Sequence, residues 1–130
     1  MAFDRSATGL MHSTFHLVPR DTWLAREAGV LPAEPYVAAS LVTEGFVHCT
    51  DGLDELGPTF DRHYSSDPAA FFALTIDLDA LDVPWRFDAP GSPYPHIYGP
   101  IIRSAILYCS RVDRTPDGRF AGLEPVSEHS

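Results

Sequence analysis

The residues E-G-F-V-H-C-T, Glu44–Thr50, form the pattern around which the rest of the chain is arranged. Their alternation is typical of a short, half-buried strand, in which successive side chains point to opposite faces. Phe46, His48 and Thr50 are predicted to share one face. Gly45, Val47 and Cys49 share the other, on which Cys49 points inward to the core. An imidazole and a hydroxyl therefore lie two residues apart, just before a predicted helix, and they indicate one wall of a pocket.

A second stretch, Tyr94–Pro100, reads Y-P-H-I-Y-G-P and is predicted to form the opposite wall. His96 and Tyr98 share a face, and the prolines on either side stiffen the backbone that carries them. His16 lies in the middle of a predicted strand, and it joins the same pocket if its strand face meets that of His48. The sequence thus predicts a pocket lined by imidazoles and aromatic rings.

Length and composition favour a single domain. The chain has 130 residues, of which 45% are hydrophobic and 21% are charged, so it has enough apolar surface for one core. We assign residues 1–12 to a disordered leader, 13–125 to the domain and 126–130 to a tail. Met11 remains an alternative start of the protein.

Charge and cysteine content restrict the partners and the compartment. The net charge of −9 and the lack of a basic run argue against nucleic acid as the main partner. Two cysteines do not make a disulfide framework, and no signal peptide or apolar run of roughly 20 residues is present. We therefore expect a cytoplasmic protein that does not enter a membrane and binds a small molecule. The pattern leaves the oligomeric state open.

The element pattern predicts an α+β fold with a small, mainly antiparallel sheet and two or three short helices. Asp21 is the expected N-cap of a helix over 22–28, in which Trp23 and Leu24 supply the buried face. Pro58 is expected to break the next helix at Gly57. The predicted strands are Ser13–Val18, Glu44–Thr50, Phe71–Leu78, Val83–Phe87, His96–Tyr98, Ser104–Arg111 and Arg119–Leu123. In Phe71–Leu78 the alternation predicts one face with Phe72, Leu74, Ile76 and Leu78 and the other with Phe71, Ala73, Thr75 and Asp77.

Several of these residues together resemble one known family. They are F-H-L-V at Phe15–Val18, then Trp23, Gly29, Tyr36, Ser40 and Leu41, followed by E-G-F-V-H-C-T and P-H-I-Y-G-P. In this order they resemble the DUF952 family, which comprises small bacterial and plant proteins of unassigned function. The resemblance extends from about Thr14 to Val112.

The resemblance implies a fold similar to that of the ADP-ribosyltransferases and the RNA 2'-phosphotransferases, in which a split antiparallel sheet surrounds an NAD cleft. It implies NAD, or a related nucleotide or ADP-ribose ligand, as the bound molecule. His16 matches the first-strand residue that contacts the nicotinamide-side ribose, and His48 with Thr50 matches the second strand. A transferase of this kind needs a glutamate late in the chain. Near the position where family members carry a glutamate, this chain has Asp88.

Two sets of site residues follow. The expected catalytic residues are His16, His48, His96 and Tyr98. The expected ligand-binding residues are Tyr36, Ser40, Glu44 and Thr50. The expected activity is transfer or hydrolysis at the nicotinamide ribosyl bond. The alternatives are a non-catalytic binding module and a hydrolase whose metal is held by the three histidines, although no established zinc motif is present.

Overall fold

The computed structural model describes residues 12–29 and 34–126, which form two antiparallel sheets and three α-helices. These ranges do not include the predicted alternative start at Met11, most of the predicted leader, or residues 127–130. In chain order the elements are β1 (Ser13–Pro19), α1 (Arg20–Glu27), α2 (Ala39–Glu44), β2 (Val47–His48), α3 (Leu53–Tyr64), β3 (Phe71–Asp77), β4 (Trp85–Phe87), β5 (Pro95–Ile97), β6 (Ile106–Arg114) and β7 (Phe120–Pro125).

The larger sheet has the strand order β1-β3-β6-β7, and the smaller sheet has the order β2-β5-β4. All of their pairings are antiparallel, which confirms the predicted α+β class with mainly antiparallel strands. The sheets meet where Phe15 and Thr50 exchange two backbone hydrogen bonds of 2.9 and 2.8 Å. The isolated bridge between Tyr36 and Ile101 ties the α1–α2 connection to the segment after β5.

The larger sheet separates two apolar clusters, as the alternation of β3 predicts. Phe72, Leu74 and Ile76 contribute to the cluster between the two sheets, together with Val47 and Ile97 of the smaller sheet. The opposite face of β3 meets α3 through Phe71 and Ala73, which contact Leu56 and Phe60. Period-two alternation therefore places β3 in both clusters at once.

The predicted break in the second helix is wrong, because α3 continues through Gly57 and Pro58. Proline in a helix interior costs about 3 kcal/mol. Leu56 and Phe60 are both fully buried, and burying each such side chain contributes about 1.5–3 kcal/mol. Burial on both sides of Pro58 thus outweighs the local penalty. Gly57 also allows close packing, since a Cβ there would lie 3.1 Å from the Phe120 ring.

Other local predictions need correction. Helix α1 begins at Arg20, so Asp21 lies in its first turn and makes no side-chain cap; it acts through the helix dipole instead. Trp23 is buried, but Leu24 is about half exposed. The central stretch is a strand of the smaller sheet only at Val47 and His48. Helix α2 occupies the residues up to Glu44, and Thr50 pairs with Phe15 of the larger sheet instead. Within the described ranges, no helix has the length and apolar character needed to cross a membrane.

Candidate functional site

A cleft of about 720 Å³ opens between β1 and the segment that carries α2 and β2. Most of the residues expected from the sequence line it, namely His16, Tyr36, Ser40, Glu44, His48, Thr50 and His96. Tyr98 does not line the cleft; it lies beside it and contacts Asp88. The structure therefore brings residues from four separate segments to one place and leaves Tyr98 next to them.

His16 connects the two sheets at the floor of the cleft. Phe15 and Thr50 form the last backbone bridge between the sheets in the described residues. One residue further along β1, the His16 Nδ1 lies 2.8 Å from the carbonyl oxygen of His48. Its Nε2 lies 2.9 Å from the hydroxyl oxygen of Tyr36. The buried imidazole thus uses both ring nitrogens within the protein.

These partners determine the tautomer of His16. A carbonyl oxygen only accepts, so Nδ1 carries the proton, and Nε2 of the neutral ring accepts from the Tyr36 O–H. Burial lowers the pKa of His16 to about 4, and the hydrogen bond to the His48 carbonyl opposes this effect. Burial also raises the pKa of Tyr36. At neutral pH the floor is therefore uncharged, and Tyr36 donates to His16, which donates to the backbone.

Glu44 and His48 form the first of two histidine–carboxylate pairs at the mouth of the cleft. The His48 Nε2 lies 3.0 Å from the Glu44 Oε1, and the two side chains are 54% and 51% exposed. Helix α2 ends at Gly45, whose φ of 90° places it in the left-handed region. That turn sends the chain from α2 into β2 and brings both side chains to the same side.

Asp88 and His96 form the second pair. The His96 Nδ1 lies 2.7 Å from the Asp88 Oδ2, and Asp88 also accepts from the Tyr98 hydroxyl and from the Arg86 Nε. The hydrogen bonds from Tyr98, His96 and Arg86 hold the pKa of Asp88 at about 2. Asp88 does not line the cleft. Asp88 therefore lies outside the space in which a late glutamate would act on a ligand in the cleft.

The two histidines lie directly opposite each other on neighbouring strands. His48 of β2 is in register with His96 of β5, and their ring centroids are 5.5 Å apart in an edge-to-face arrangement. Phe46 stacks on His96 at 4.0 Å and contacts the edge of His48 at 4.8 Å. These contacts position both imidazoles on a rigid sheet rather than on a loop.

The rim formed by α3 contains residues of the cleft that the sequence did not predict. Thr59, Arg62 and His63 line the cleft together with Tyr94. The Arg62 Nη2 donates to the Tyr94 hydroxyl at 3.0 Å, and the hydrogen bonds from Thr59 and then Arg62 lower the pKa of Tyr94. Spacing of three and four residues on α3 is the signal that could have grouped the α3 residues on one face.

The remaining chemistry of the cleft is limited. Cys49 lines it but is buried, and burial raises the pKa of its thiol, which disfavours the nucleophilic thiolate. In the part of the chain that the structure describes, no three His, Cys, Asp or Glu side chains are grouped so as to hold a metal ion. Because both ring nitrogens of His16 are engaged, the alternative of a three-histidine metal site does not match this geometry.

A second cavity, of about 580 Å³, lies beside α1 and β6 and contains none of the expected site residues. Trp23, Tyr108 and Cys109 line it. Cys109 is half-buried, and the pKa of its thiol is raised to about 11, mainly by burial. Tyr108 is 68% exposed, so it offers a reference position for experiments on the cleft.

Comparison with solved structures gives the same fold. The crystal structure of protein CC0527 from Caulobacter crescentus is similar, with a TM-score of 0.64 and 19% sequence identity over 84% of this chain and 93% of that chain. The solution NMR structure of CC0527 gives a TM-score of 0.62 and 20% identity over 82% of this chain and 90% of that one. At these identities the similarity concerns the fold alone. No curated protein matches the sequence.

The family model described as "Protein of unknown function (DUF952)" matches residues 17–109. The match includes both motifs that form the walls of the cleft, as well as Tyr36 and Ser40. It covers more than half of the 130 residues. The chain therefore belongs to the DUF952 family.

Proposed function

We propose that this chain is an ADP-ribosyltransferase-like domain that binds NAD, or a related nucleotide or ADP-ribose ligand, in the cleft at His16. The proposal rests on one observation, a neutral chain of two hydrogen bonds at the point where the two sheets separate. In this Tyr36–His16 relay, Tyr36 donates to His16, and His16 donates to the His48 carbonyl. A first-strand histidine beside such a cleft is the feature that the resemblance to the transferases implies. The cleft volume of about 720 Å³ falls within the range of roughly 300–1,000 Å³ that is typical of small-molecule sites.

The floor suits the neutral hydrogen-bonding groups of such a ligand, its ribose hydroxyls and its carboxamide. Tyr36 donates its proton to His16, so its oxygen keeps lone pairs that can accept from a ribose hydroxyl or a carboxamide N–H. Because the relay is uncharged, it does not require a charged partner in this buried place. Ser40 and Thr50 line the same region and add hydroxyl groups.

The rim suits the anionic part of the ligand. Arg62 is exposed at the rim, where its guanidinium contacts Tyr94. A guanidinium matches phosphate oxygens in charge and in geometry. A ligand that reaches from Tyr36 to Arg62 therefore meets neutral hydrogen-bonding groups at one end and a positive charge at the other, which suits a ribose that carries phosphate.

If the domain is catalytic, the reaction we propose is transfer or hydrolysis at the bond between nicotinamide and ribose. Positive charge develops on the ribose as nicotinamide leaves, and a nearby carboxylate stabilises that charge. Among the described residues that line the cleft, the carboxylate is Glu44. Glu44 is therefore the residue to which we assign this role, in place of Asp88.

The proposal is tested by titrating isotopically labelled protein with NAD and following the amides and imidazoles of His16, His48 and His96 by NMR. We expect saturable shifts confined to the cleft. Tyr36→Phe removes one hydroxyl and is expected to weaken NAD binding about five- to tenfold, the effect of about 1 kcal/mol. Tyr108→Phe, a matched change outside the cleft, is expected to leave NAD binding unchanged. Absence of shifts at millimolar NAD would remove NAD from the proposal.

The alternative of a non-catalytic binding module differs in one measurable respect. Incubation of the protein with NAD, followed by chromatography, reports whether nicotinamide is released. Release that depends on Glu44 supports the transferase. Saturable binding without release supports a binding module that retains the cleft.

A further inference from the structure

The paired histidines at the mouth of the cleft have a geometry that ligand binding alone does not require. His48 and His96 face each other across β2 and β5, and each holds a carboxylate at one ring nitrogen. The carboxylates come from different elements, since Glu44 ends α2 and Asp88 follows β4. Two independent histidine–carboxylate pairs thus converge on one side of the smaller sheet.

The carboxylates orient the two rings. A carboxylate accepts, so the proton lies on Nε2 of His48 and on Nδ1 of His96. The second nitrogens, His48 Nδ1 and His96 Nε2, have no hydrogen-bond partner among residues 12–29 and 34–126. Both histidines line the cleft, so each brings to it a ring nitrogen that the fold leaves without a protein partner within those ranges.

We propose that His48 and His96 act as an acid and a base that hydrolyse a ribonucleoside phosphodiester, with a 2',3'-cyclic phosphate as the simplest substrate. His96 Nε2 takes a proton from water while the water oxygen bonds to phosphorus. The bond from phosphorus to one ribose oxygen breaks, and protonated His48 gives its Nδ1 proton to that oxygen. The product is a ribonucleoside monophosphate, and exchange with solvent restores both imidazoles.

An acid and a base acting together accelerate cleavage of the bond between phosphorus and a ribose oxygen in particular. A ribose alkoxide is a poor leaving group, so its departure benefits from a proton donor at the same time as water needs a base. Asp88 stabilises the imidazolium that forms on His96, because three donors keep this carboxylate in place. The more exposed His48 and Glu44 exchange protons with solvent more readily, which suits the acid.

The charges around the pair favour a diester. Glu44, Asp88 and Arg86 are the charged groups that contact the cluster. Its other titratable neighbours are Tyr98, which donates to Asp88, and His16, whose Nδ1 donates to the His48 carbonyl. Arg86 is in register with His96 and neutralises Asp88. Protonated His48 balances Glu44 in the same way. The cluster therefore has no excess positive charge that would favour a phosphomonoester, which carries about −1.5 to −2 at neutral pH, over the single charge of a diester.

The experiment follows the hydrolysis of 2',3'-cyclic AMP by phosphorus NMR as a function of pH. We expect turnover with a bell-shaped pH dependence of kcat/KM. His48→Gln and His96→Gln are each expected to lower kcat about 100-fold or more and to remove one side of the bell. Imidazole added to a His96→Ala variant, whose small side chain leaves room for the ring, is expected to restore part of the rate, which a purely structural role would not allow.

A matched control is available in the same chain. His12 pairs with Asp51 at 2.9 Å, and neither residue lines the cleft. His12→Gln therefore removes a histidine–carboxylate pair of the same kind and is expected to leave turnover unchanged. Thermal unfolding of each variant establishes that it is folded.

The inference goes beyond the proposed function and fails separately from it. Release of nicotinamide from NAD without hydrolysis of the cyclic phosphate would overturn the inference and leave the proposed function in place. Hydrolysis that survives both histidine substitutions would also overturn it. Hydrolysis that requires both histidines, in a protein that does not bind NAD, would support the inference and remove the proposed function.

Discussion

The side chain of His16 continues the contact between the two sheets beyond the point where their backbone hydrogen bonds end. Its Nδ1 reaches the His48 carbonyl, so the group that occupies the floor of the cleft also holds the cleft walls together. Tyr36 completes the relay from the other side. A ligand that contacts Tyr36 therefore acts on the junction of the sheets through a single hydrogen-bonded chain.

This arrangement makes the stability of the protein depend on pH. The pKa of His16 is lowered from 6.5 to about 4 in the folded protein, so the unfolded chain binds this proton more strongly. The free energy of unfolding is expected to fall as the pH falls from 6.5 through 4, by about 3 kcal/mol from this group. Urea denaturation at several pH values measures it.

The comparison with His16→Gln isolates the contribution of this histidine, because carboxylates also take up protons in the same range. We expect the wild-type protein to lose about 3 kcal/mol more than the variant between neutral pH and pH 4. Parallel pH dependences of the two proteins would contradict the assigned environment of His16.

At the scale of elements, β5 and the turn after it show why the motif P-H-I-Y-G-P has its composition. His96 points to the mouth of the cleft, while Ile97 is fully buried in the core between the sheets. Gly99 lies against Val83, and a Cβ added at Gly99 would be 2.6 Å from the Val83 Cγ1. The close approach of these two segments keeps the second wall in place.

Gly99→Ala is therefore expected to reduce the free energy of unfolding by about 1–3 kcal/mol, the usual effect of overpacking. Val83→Ala in the same protein removes the contacts with Cγ1 and Cγ2 and leaves the one with the Val83 Cβ at 2.8 Å. The clash is therefore partly relieved, and the double variant is expected to be more stable than the sum of the two single changes indicates. Urea denaturation of the four proteins measures the coupling. Additive effects would show that the two residues do not make this contact.

For the whole molecule, the central question is whether the two sheets behave as one unit. The cluster between them contains residues of both sheets, and the backbone bridge from Phe15 to Thr50 joins their edges. Trp23 of α1 packs against this cluster from the larger sheet, and Trp85 belongs to β4 of the smaller one. The two tryptophans thus contact the same cluster from different elements, the helix that packs on the larger sheet and a strand of the smaller one.

We expect the fluorescence of both tryptophans to reveal the same transition. In Trp23→Phe the fluorescence comes from Trp85, and in Trp85→Phe it comes from Trp23. For each variant, the urea midpoint from tryptophan fluorescence is expected to equal the midpoint from far-ultraviolet circular dichroism, as in two-state unfolding. A fluorescence midpoint that differs from the circular dichroism midpoint would show that the cleft divides two independently stable parts.

Local sequence patterns determined the fold class and the faces of the main strands. The alternation in β3 correctly assigned Phe72 and Leu74 to one side and Phe71 to the other. Such predictions succeed because a strand repeats every two residues, whatever packs on it. The alternation in Glu44–Thr50 likewise indicated that Cys49 points inward, and Cys49 is buried.

Tertiary structure decided what no local pattern contains. The burial of Phe60 against the larger sheet keeps α3 intact through Pro58, which local propensity alone does not predict. Asp88 meets His96, and Arg62 meets Tyr94, across separations of 8 and 32 residues. Such contacts depend on the packing of distant segments. The sequence by itself therefore predicted the histidines of the site, and only the folded chain shows which residues they contact.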